Sequence, residues 1–191
     1  MEQLDSVEAL REWRQKAGIA KVGFVPTMGA LHAGHEALLK CSRAENDLTL
    51  VSIFVNPTQF NDPRDCASYP KPLEADLDSC RRVGVSAVFT PRREMLYPDH
   101  YSFRVQELEK STVLEGESRP GHFDGVLTVV LKLFLLCRPD RAYFGEKDWQ
   151  QLRLVDGLAK AFLLETEVVA VPTVREKDGL ALSSRNVRLS A

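Results

Sequence analysis

Short apolar runs rich in β-branched residues alternate along this chain with segments of helical periodicity. The runs with strand composition are 22–25, 48–55, 87–89, 141–144 and 167–171, and the helical segments are 7–16, 36–43, 73–83, 126–137 and 149–162. Such alternation is typical of βαβ units, and near-continuous apolar strands indicate a sheet covered on both faces. The pattern predicts an α/β fold: a Rossmann-like, doubly wound parallel sheet with helices on both faces.

Composition limits what such a fold can bind. The 191 residues carry a formal net charge of −2, so no global basic field favours nucleic acid or an anionic membrane as a partner. The longest apolar stretch, 126–137, is too short to span a bilayer and contains Lys132. The start of the chain lacks the pattern of a signal peptide, and the four cysteines form no C-x-x-C pair. We expect reduced thiols and a cytoplasmic protein.

Unusual residues cluster directly after the predicted strands. Glycine, proline, histidine and amide residues are concentrated in five segments: 26–35, 56–60, 91–98, 145–151 and 172–186. In an open α/β sheet, ligands bind outside the carboxyl ends of the strands. These segments are therefore expected to converge on one crevice.

The first of these segments, P-T-M-G-A-L-H-A-G-H at 26–35, leads from a strand into a helix. Its two glycines allow close backbone approach, the helix N-terminus offers N–H groups, and His32 and His35 lie on one side of the first turn. This combination indicates an anion site with two imidazole donors. The pair could also hold a metal, although no third ligand is evident, or be two incidental surface histidines.

The H-A-G-H string resembles the H-x-G-H signature of the nucleotidyltransferase superfamily, and the whole ten-residue string resembles the pantothenate synthetase family. Further resemblance follows in order over essentially the whole chain, at 54–60, 69–70, 114–123, 144–151 and 178–186. The resemblance implies ATP-dependent condensation of pantoate with β-alanine to pantothenate, through a pantoyl adenylate, with release of pyrophosphate and AMP. It also implies Mg²⁺ and a homodimer.

For pantoate, the resemblance implies binding by Met28, Gln59, Phe60 and Gln151. The two amides can both donate and accept, which suits a hydroxy acid, while Met28 and Phe60 would contact its gem-dimethyl group. By residue type alone, the glutamines could be solvated surface and the two apolar residues plain core.

For ATP, the resemblance implies catalytic roles for His32, His35, Lys147 and Arg185. The remaining implied nucleotide contacts are Pro26, Thr27, Gly34, Gly145, Asp148, Val174, Ser183 and Ser184. The S-S-R-N segment at 183–186 occupies the place of the superfamily's flexible ATP loop, and its hydroxyls and guanidinium can grip a triphosphate. As bare sequence it is a polar turn, and Lys147 would be an exposed base.

The metal assignment is the implied role with least support in the sequence. The family uses an acid near Asp76 for Mg²⁺, but the preceding position, often acidic in relatives, is Ala75 here. Two further departures are Asp124, where a basic residue is common, and Trp149, where Phe is frequent.

The expected organisation is a catalytic domain at 1–174 and a junction at 175–191 that carries the ATP loop. Relatives continue into a smaller C-terminal domain, so we expect a truncated chain whose turnover is impaired. Two other functions stay open. Another H-x-G-H enzyme, such as a cytidylyltransferase or an NMN adenylyltransferase, would explain the first motif but not the segments around Gln59 and Gln151. A non-catalytic nucleotide-binding module is the second.

Overall fold

Six parallel strands form one sheet in the computed structural model, which describes residues 1–186. The strands are β1 (Glu2–Leu4), β2 (Val22–Thr27), β3 (Leu48–Ile53), β4 (Ala87–Phe89), β5 (Arg141–Gly145) and β6 (Glu167–Val171). Their order across the sheet is β1-β4-β3-β2-β5-β6, and every neighbouring pair is parallel. The α/β prediction is confirmed.

Helices cover both faces of this sheet. They are α1 (Val7–Ala17), α2 (Ala33–Glu45), α3 (Pro63–Ala67), α4 (Leu73–Val83), α5 (Arg93–Leu96), α6 (Glu115–Ser118), α7 (His122–Cys137) and α8 (Trp149–Ala161). One apolar cluster joins α1, α7 and α8 to the sheet, and a second joins α2 and α4 to the opposite face. Strands covered on both faces need the continuous apolar runs that the sequence shows.

Strand order places the site. From β2 the chain moves outward through β3 to β4 on one side, and then returns to continue through β5 and β6 on the other. A crevice therefore opens between β2 and β5, where the winding reverses, and such a switch point is where doubly wound sheets bind ligands.

Most predicted elements are found, with shifted ends. β3 ends at Ile53 rather than at 55, while β2 continues to Thr27 and α7 begins at His122 rather than at 126. Strand β1 was not predicted because its three residues at the sheet edge show no periodicity. The segments 57–59, 110–112 and 146–148 are 3-10 turns.

The predicted junction at 175–191 is described only in part. Arg175 and Ala181 form an isolated antiparallel bridge, and residues 187–191 lie outside the described residues. Within the described part of the chain, no helix is long and apolar enough to cross a membrane.

Candidate active site

A cavity of about 220 Å³ opens at the carboxyl ends of β2 and β5. Residues from four of the five segments predicted to converge line this cavity, namely 26–35, 56–60, 145–151 and 172–186. The fifth segment, 91–98, contributes no lining residue. Of the predicted site residues, those lining it are Pro26, Thr27, Met28, His32, Gly34, His35, Gln59, Gly145, Lys147, Asp148, Gln151, Val174, Ser183, Ser184 and Arg185.

Two predicted residues are not among those that line this cavity. Phe60 lines a separate cavity, and its ring centroid lies 6.0 Å from that of Tyr69. Asp76 is 2% exposed, and its two carboxylate oxygens accept hydrogen bonds from the backbone N–H groups of Ala30 (2.9 Å) and Leu31 (2.7 Å). Burial raises the pKa of Asp76 despite these two bonds.

Asp76 therefore supports the loop between β2 and α2. At Gly29 in this loop φ is +82°, and a Cβ there would lie 2.9 Å from the Asp76 carboxylate. Only glycine adopts this backbone readily and leaves room for the carboxylate. Among the described residues, no group of three His, Cys, Asp or Glu side chains could hold a metal ion.

The two histidines of the H-A-G-H segment cap helix α2. The Nδ1 atom of His32 accepts a hydrogen bond from the N–H of Gly34 (3.1 Å), and Nδ1 of His35 accepts one from the N–H of His32 (3.3 Å). A backbone N–H can only donate, so each neutral ring carries its proton on Nε2. Both imidazoles can therefore donate Nε2–H.

The protonation of this pair is governed by burial. Burial, with smaller contributions from His32 and Lys147, lowers the pKa of His35 to about 3. Burial and then Lys147 lower the pKa of His32 as well. The rings are 4.1 Å apart between centroids, and both are neutral at pH 7. In this state they can serve a ligand as hydrogen-bond donors and not as cations.

The amide of Gln59, which also lines the cavity, is held by two neighbouring side chains. Its Oε1 accepts a hydrogen bond from Nδ2 of Asn56 (3.0 Å), and its Nε2 lies 3.2 Å from Sδ of Met28. Asn56 is 1% exposed and also accepts a hydrogen bond from the Tyr97 hydroxyl (2.9 Å). Sequence reasoning assigned Asn56 no role, although it lies within the segment of resemblance at 54–60.

The apolar wall of the cavity comes from α7 and was also missed. The helix contributes residues at the spacing i, i+3, i+4 and i+7, namely Val126, Val129, Val130 and Leu133, with Phe54 and Phe144 from the sheet ends. This spacing puts them on one helix face. The sequence shows the periodicity but does not distinguish a cavity wall from plain core.

Two partly exposed cationic side chains, Lys147 and Arg185, also line the cavity. Lys147 Nζ lies 3.1 Å from Oδ1 of Asp148. In the 183–186 segment, the Ser184 hydroxyl donates to the carbonyl of Ala30 (3.0 Å). Arg185 Nη2 donates to Oδ2 of Asp65 (2.8 Å).

The sheet, its switch-point crevice, the neutral imidazole pair and the nearby cations define an α/β protein of the H-x-G-H type, with a site suited to binding phosphate. The pantoate-beta-alanine ligase family model matches residues 2–191, and the chain belongs to this family. It is accordingly an enzyme, an ATP-dependent ligase for pantoate and β-alanine. A different H-x-G-H nucleotidyltransferase is thereby excluded.

Relatives of known name agree with this membership. The chain is 57% identical to the pantothenate synthetase of Bdellovibrio bacteriovorus over 98% of its own length and 74% of the relative's. It is 54% identical to that of Aquifex aeolicus, over 89% of this chain and 60% of the relative.

A solved pantoate-beta-alanine ligase of Francisella tularensis, complexed with beta-gamma ATP and beta-alanine, is 46% identical to this chain. That structure matches with a TM-score of 0.97 over 100% of this chain and 74% of its own. The solved pantothenate synthetase from Thermus thermophilus is 50% identical and has a TM-score of 0.93, covering 100% of this chain and 68% of that chain.

Proposed function

We propose that the site ligates its substrates in two steps. The pantoate carboxylate attacks the α-phosphorus of ATP, forming pantoyl adenylate and releasing pyrophosphate. The amine of β-alanine then attacks the acyl carbon, forming the amide of pantothenate and releasing AMP. The observation that carries this proposal is a single cavity lined by two imidazoles, two cationic side chains, two glutamine amides and an apolar face of α7.

The phosphate side consists of His32, His35, Lys147 and Arg185. Neutral Nε2–H donors can stabilise charge on phosphate oxygens without the energetic cost of burying two cations. Lys147 and Arg185 supply the positive charge from less buried positions. One preorganised donor of this kind typically contributes about 10²- to 10³-fold in rate. Pro26, Thr27, Gly34, Gly145, Asp148, Val174, Ser183 and Ser184 would complete the nucleotide contacts.

The hydroxy-acid side consists of Gln59, Gln151 and Met28. The amides of Gln59 and Gln151 would hold the hydroxyl and carboxylate groups of pantoate. Met28 and the valines of α7 would contact the gem-dimethyl group, which needs an apolar surface. Phe60 would have to turn toward this cavity to contribute.

Magnesium would enter with the nucleotide. Mg²⁺ keeps several waters and is usually held by one or two carboxylates plus substrate phosphates, so the described residues do not need to form a complete cage. Asp148 lines the cavity, whereas both oxygens of Asp76 are directed at the backbone. Asp76 as a ligand stays a prediction, as do the homodimer and the cytoplasmic location.

The proposal is tested by product analysis. The chain is incubated with MgATP, pantoate and β-alanine, and pantothenate and AMP are measured together. We expect the two products in equal amounts, and neither when pantoate is omitted. ADP in place of AMP would contradict adenylation of the acid. Replacing ATP with CTP is the matched control and should give no pantothenate.

A further inference from the structure

One face of helix α7 contacts both the cavity and the turn that carries Gln59. His122, Gly125, Val126 and Val129 follow the spacing i, i+3, i+4 and i+7, so they lie on the same side of the helix. The valines line the cavity. His122, at the first turn, is 5% exposed and is a polar residue on this otherwise apolar face.

The carbonyl of Gln59 accepts hydrogen bonds from this region. The Nδ1 atom of His122 lies 2.8 Å from it and is the donor, since a carbonyl oxygen can only accept. Nη2 of Arg119 donates to the same oxygen at 3.4 Å. Arg119 also pairs with Glu115, whose carboxylate is 3.8 Å from Nε2 of His122.

Helix α7 also approaches the turn directly. A Cβ on Gly125 would lie 2.5 Å from the carbonyl oxygen of Thr58 and 2.7 Å from the backbone nitrogen of Gln59. Nδ2 of Asn56 donates both to the Gly125 carbonyl (3.1 Å) and to the Gln59 side chain (3.0 Å). The backbone and the amide of Gln59 are thus held by separate groups.

The turn needs this support because its own hydrogen bonds are long. Within it, the N–H of Gln59 lies 3.5 Å from the carbonyl of Asn56, and that of Phe60 lies 3.3 Å from the carbonyl of Pro57. A three-residue 3-10 turn with bonds of this length does not fix the direction of its side chains by itself.

We propose that His122, assisted by Arg119, is a positioning residue for Gln59. By anchoring the Gln59 carbonyl, it directs the side-chain amide into the cavity. The R-P-G-H segment at 119–122 belongs to the family resemblance, but the sequence alone assigned it no role. Through Gln59, this segment would affect the affinity for pantoate. This inference rests on the proposed binding of pantoate by Gln59.

The test compares two substitutions of His122. His122→Leu fills similar volume but removes the donor, which leaves the Gln59 carbonyl short of a buried partner. His122→Asn places an amide N–H near the position of Nδ1 and should restore the bond. We expect His122→Leu to raise the KM for pantoate roughly tenfold, the usual effect of one buried hydrogen bond, and His122→Asn to recover most of that loss. The KM for ATP should change less than about twofold in both variants.

A double substitution separates positioning from a general loss of structure. In a Gln59→Ala background there is no amide to direct, so adding His122→Leu should not raise the KM for pantoate further. The proposal would be overturned if His122→Leu raised the KM for pantoate equally with and without Gln59→Ala. It would also be overturned if His122→Leu raised the KM values for pantoate and for ATP equally. Because His122→Leu could impair folding, Arg119→Leu is measured as well, and we expect a smaller rise of the same kind.

The same variants distinguish a failure of the proposed role of Gln59 from a failure of the proposed positioning role of His122. If Gln59→Ala leaves the KM for pantoate unchanged, the assignment of Gln59 in the proposed function is wrong. If Gln59→Ala raises it while neither His122→Leu nor Arg119→Leu does, only the positioning role is wrong.

Discussion

At the scale of single residues, the function depends on which protonation state each side chain is held in. His32 and His35 each use Nδ1 to accept a backbone N–H, so capping the helix also sets the tautomer. Burial then keeps both rings neutral by lowering their pKa values. One local arrangement thus provides two uncharged donors at a place where phosphate oxygens can approach.

Stability should depend on the pH through His35. Its pKa falls from the ordinary 6.5 to about 3 on folding, so between these values the unfolded chain binds more protons than the folded one. The free energy of unfolding should therefore rise from pH 3 to 6.5 and then level off. Urea titrations at pH 7 and pH 5 measure this change. Between these pH values, we expect the free energy of unfolding of the unsubstituted protein to fall by about 1 to 2 kcal/mol more than that of His35→Asn. Equal losses would contradict a buried neutral imidazole.

Kinetic variants should separate the two sides of the cavity. His35→Ala and Lys147→Ala remove proposed phosphate contacts, so we expect kcat to fall about 10²-fold or more with little change in the dissociation constant of pantoate. Gln151→Ala removes a proposed hydroxy-acid contact and should weaken pantoate binding roughly tenfold. Steady-state kinetics gives kcat, and calorimetry gives the dissociation constant of pantoate. Equal weakening of pantoate binding in all three variants would show that the division is wrong.

At the scale of elements, loops take their geometry from helices that are distant in sequence. The loop after β2 is held by Asp76 of α4, and the Gln59 turn is held by α7. Each support joins segments separated by more than 40 residues. The elements therefore specify where the functional side chains lie.

The role of Asp76 is open to a direct test of stability. Asp76→Asn replaces one carboxylate oxygen with an NH₂ group that would face a backbone N–H, so a buried donor loses its acceptor. We expect the free energy of unfolding without Mg²⁺ to fall by about 2 kcal/mol. Asp78→Asn is the control: it lies on the same helix in an exposed pair with Arg81 and should change stability by less than about 0.5 kcal/mol. Equal effects would contradict the support role.

The sequence was sufficient to predict most helices and strands but not the contacts between them. Apolar runs and strand-end residues such as His32 and Gln151 were enough to predict the sheet, its helices and the crevice. Edge strand β1 was too short to show a pattern. The supporting roles of Asp76, Asn56 and His122 depend on hydrogen bonds between distant segments, which no local spacing encodes. Phe60 was placed by resemblance, and its ring direction follows from packing on Tyr69.

At the scale of the whole molecule, the order of the strands brings the residues of the candidate site together in one place. Because the winding reverses between β2 and β5, segments from both halves of the sheet meet at one crevice. The proposed phosphate donors come from α2 and the turn after β5, and the apolar wall comes from α7. In the proposed reaction, this arrangement would bring a nucleotide and a small acid together, as transfer of an adenylyl group requires.

The central claim is that the acid is adenylated before the amine reacts. The most direct measurement is exchange of labelled pyrophosphate into ATP, with MgATP and pantoate present and β-alanine absent. Since the first step is reversible and needs no amine, we predict exchange that requires pantoate and is lost in His35→Ala. Exchange that occurs only once β-alanine is added would contradict the account.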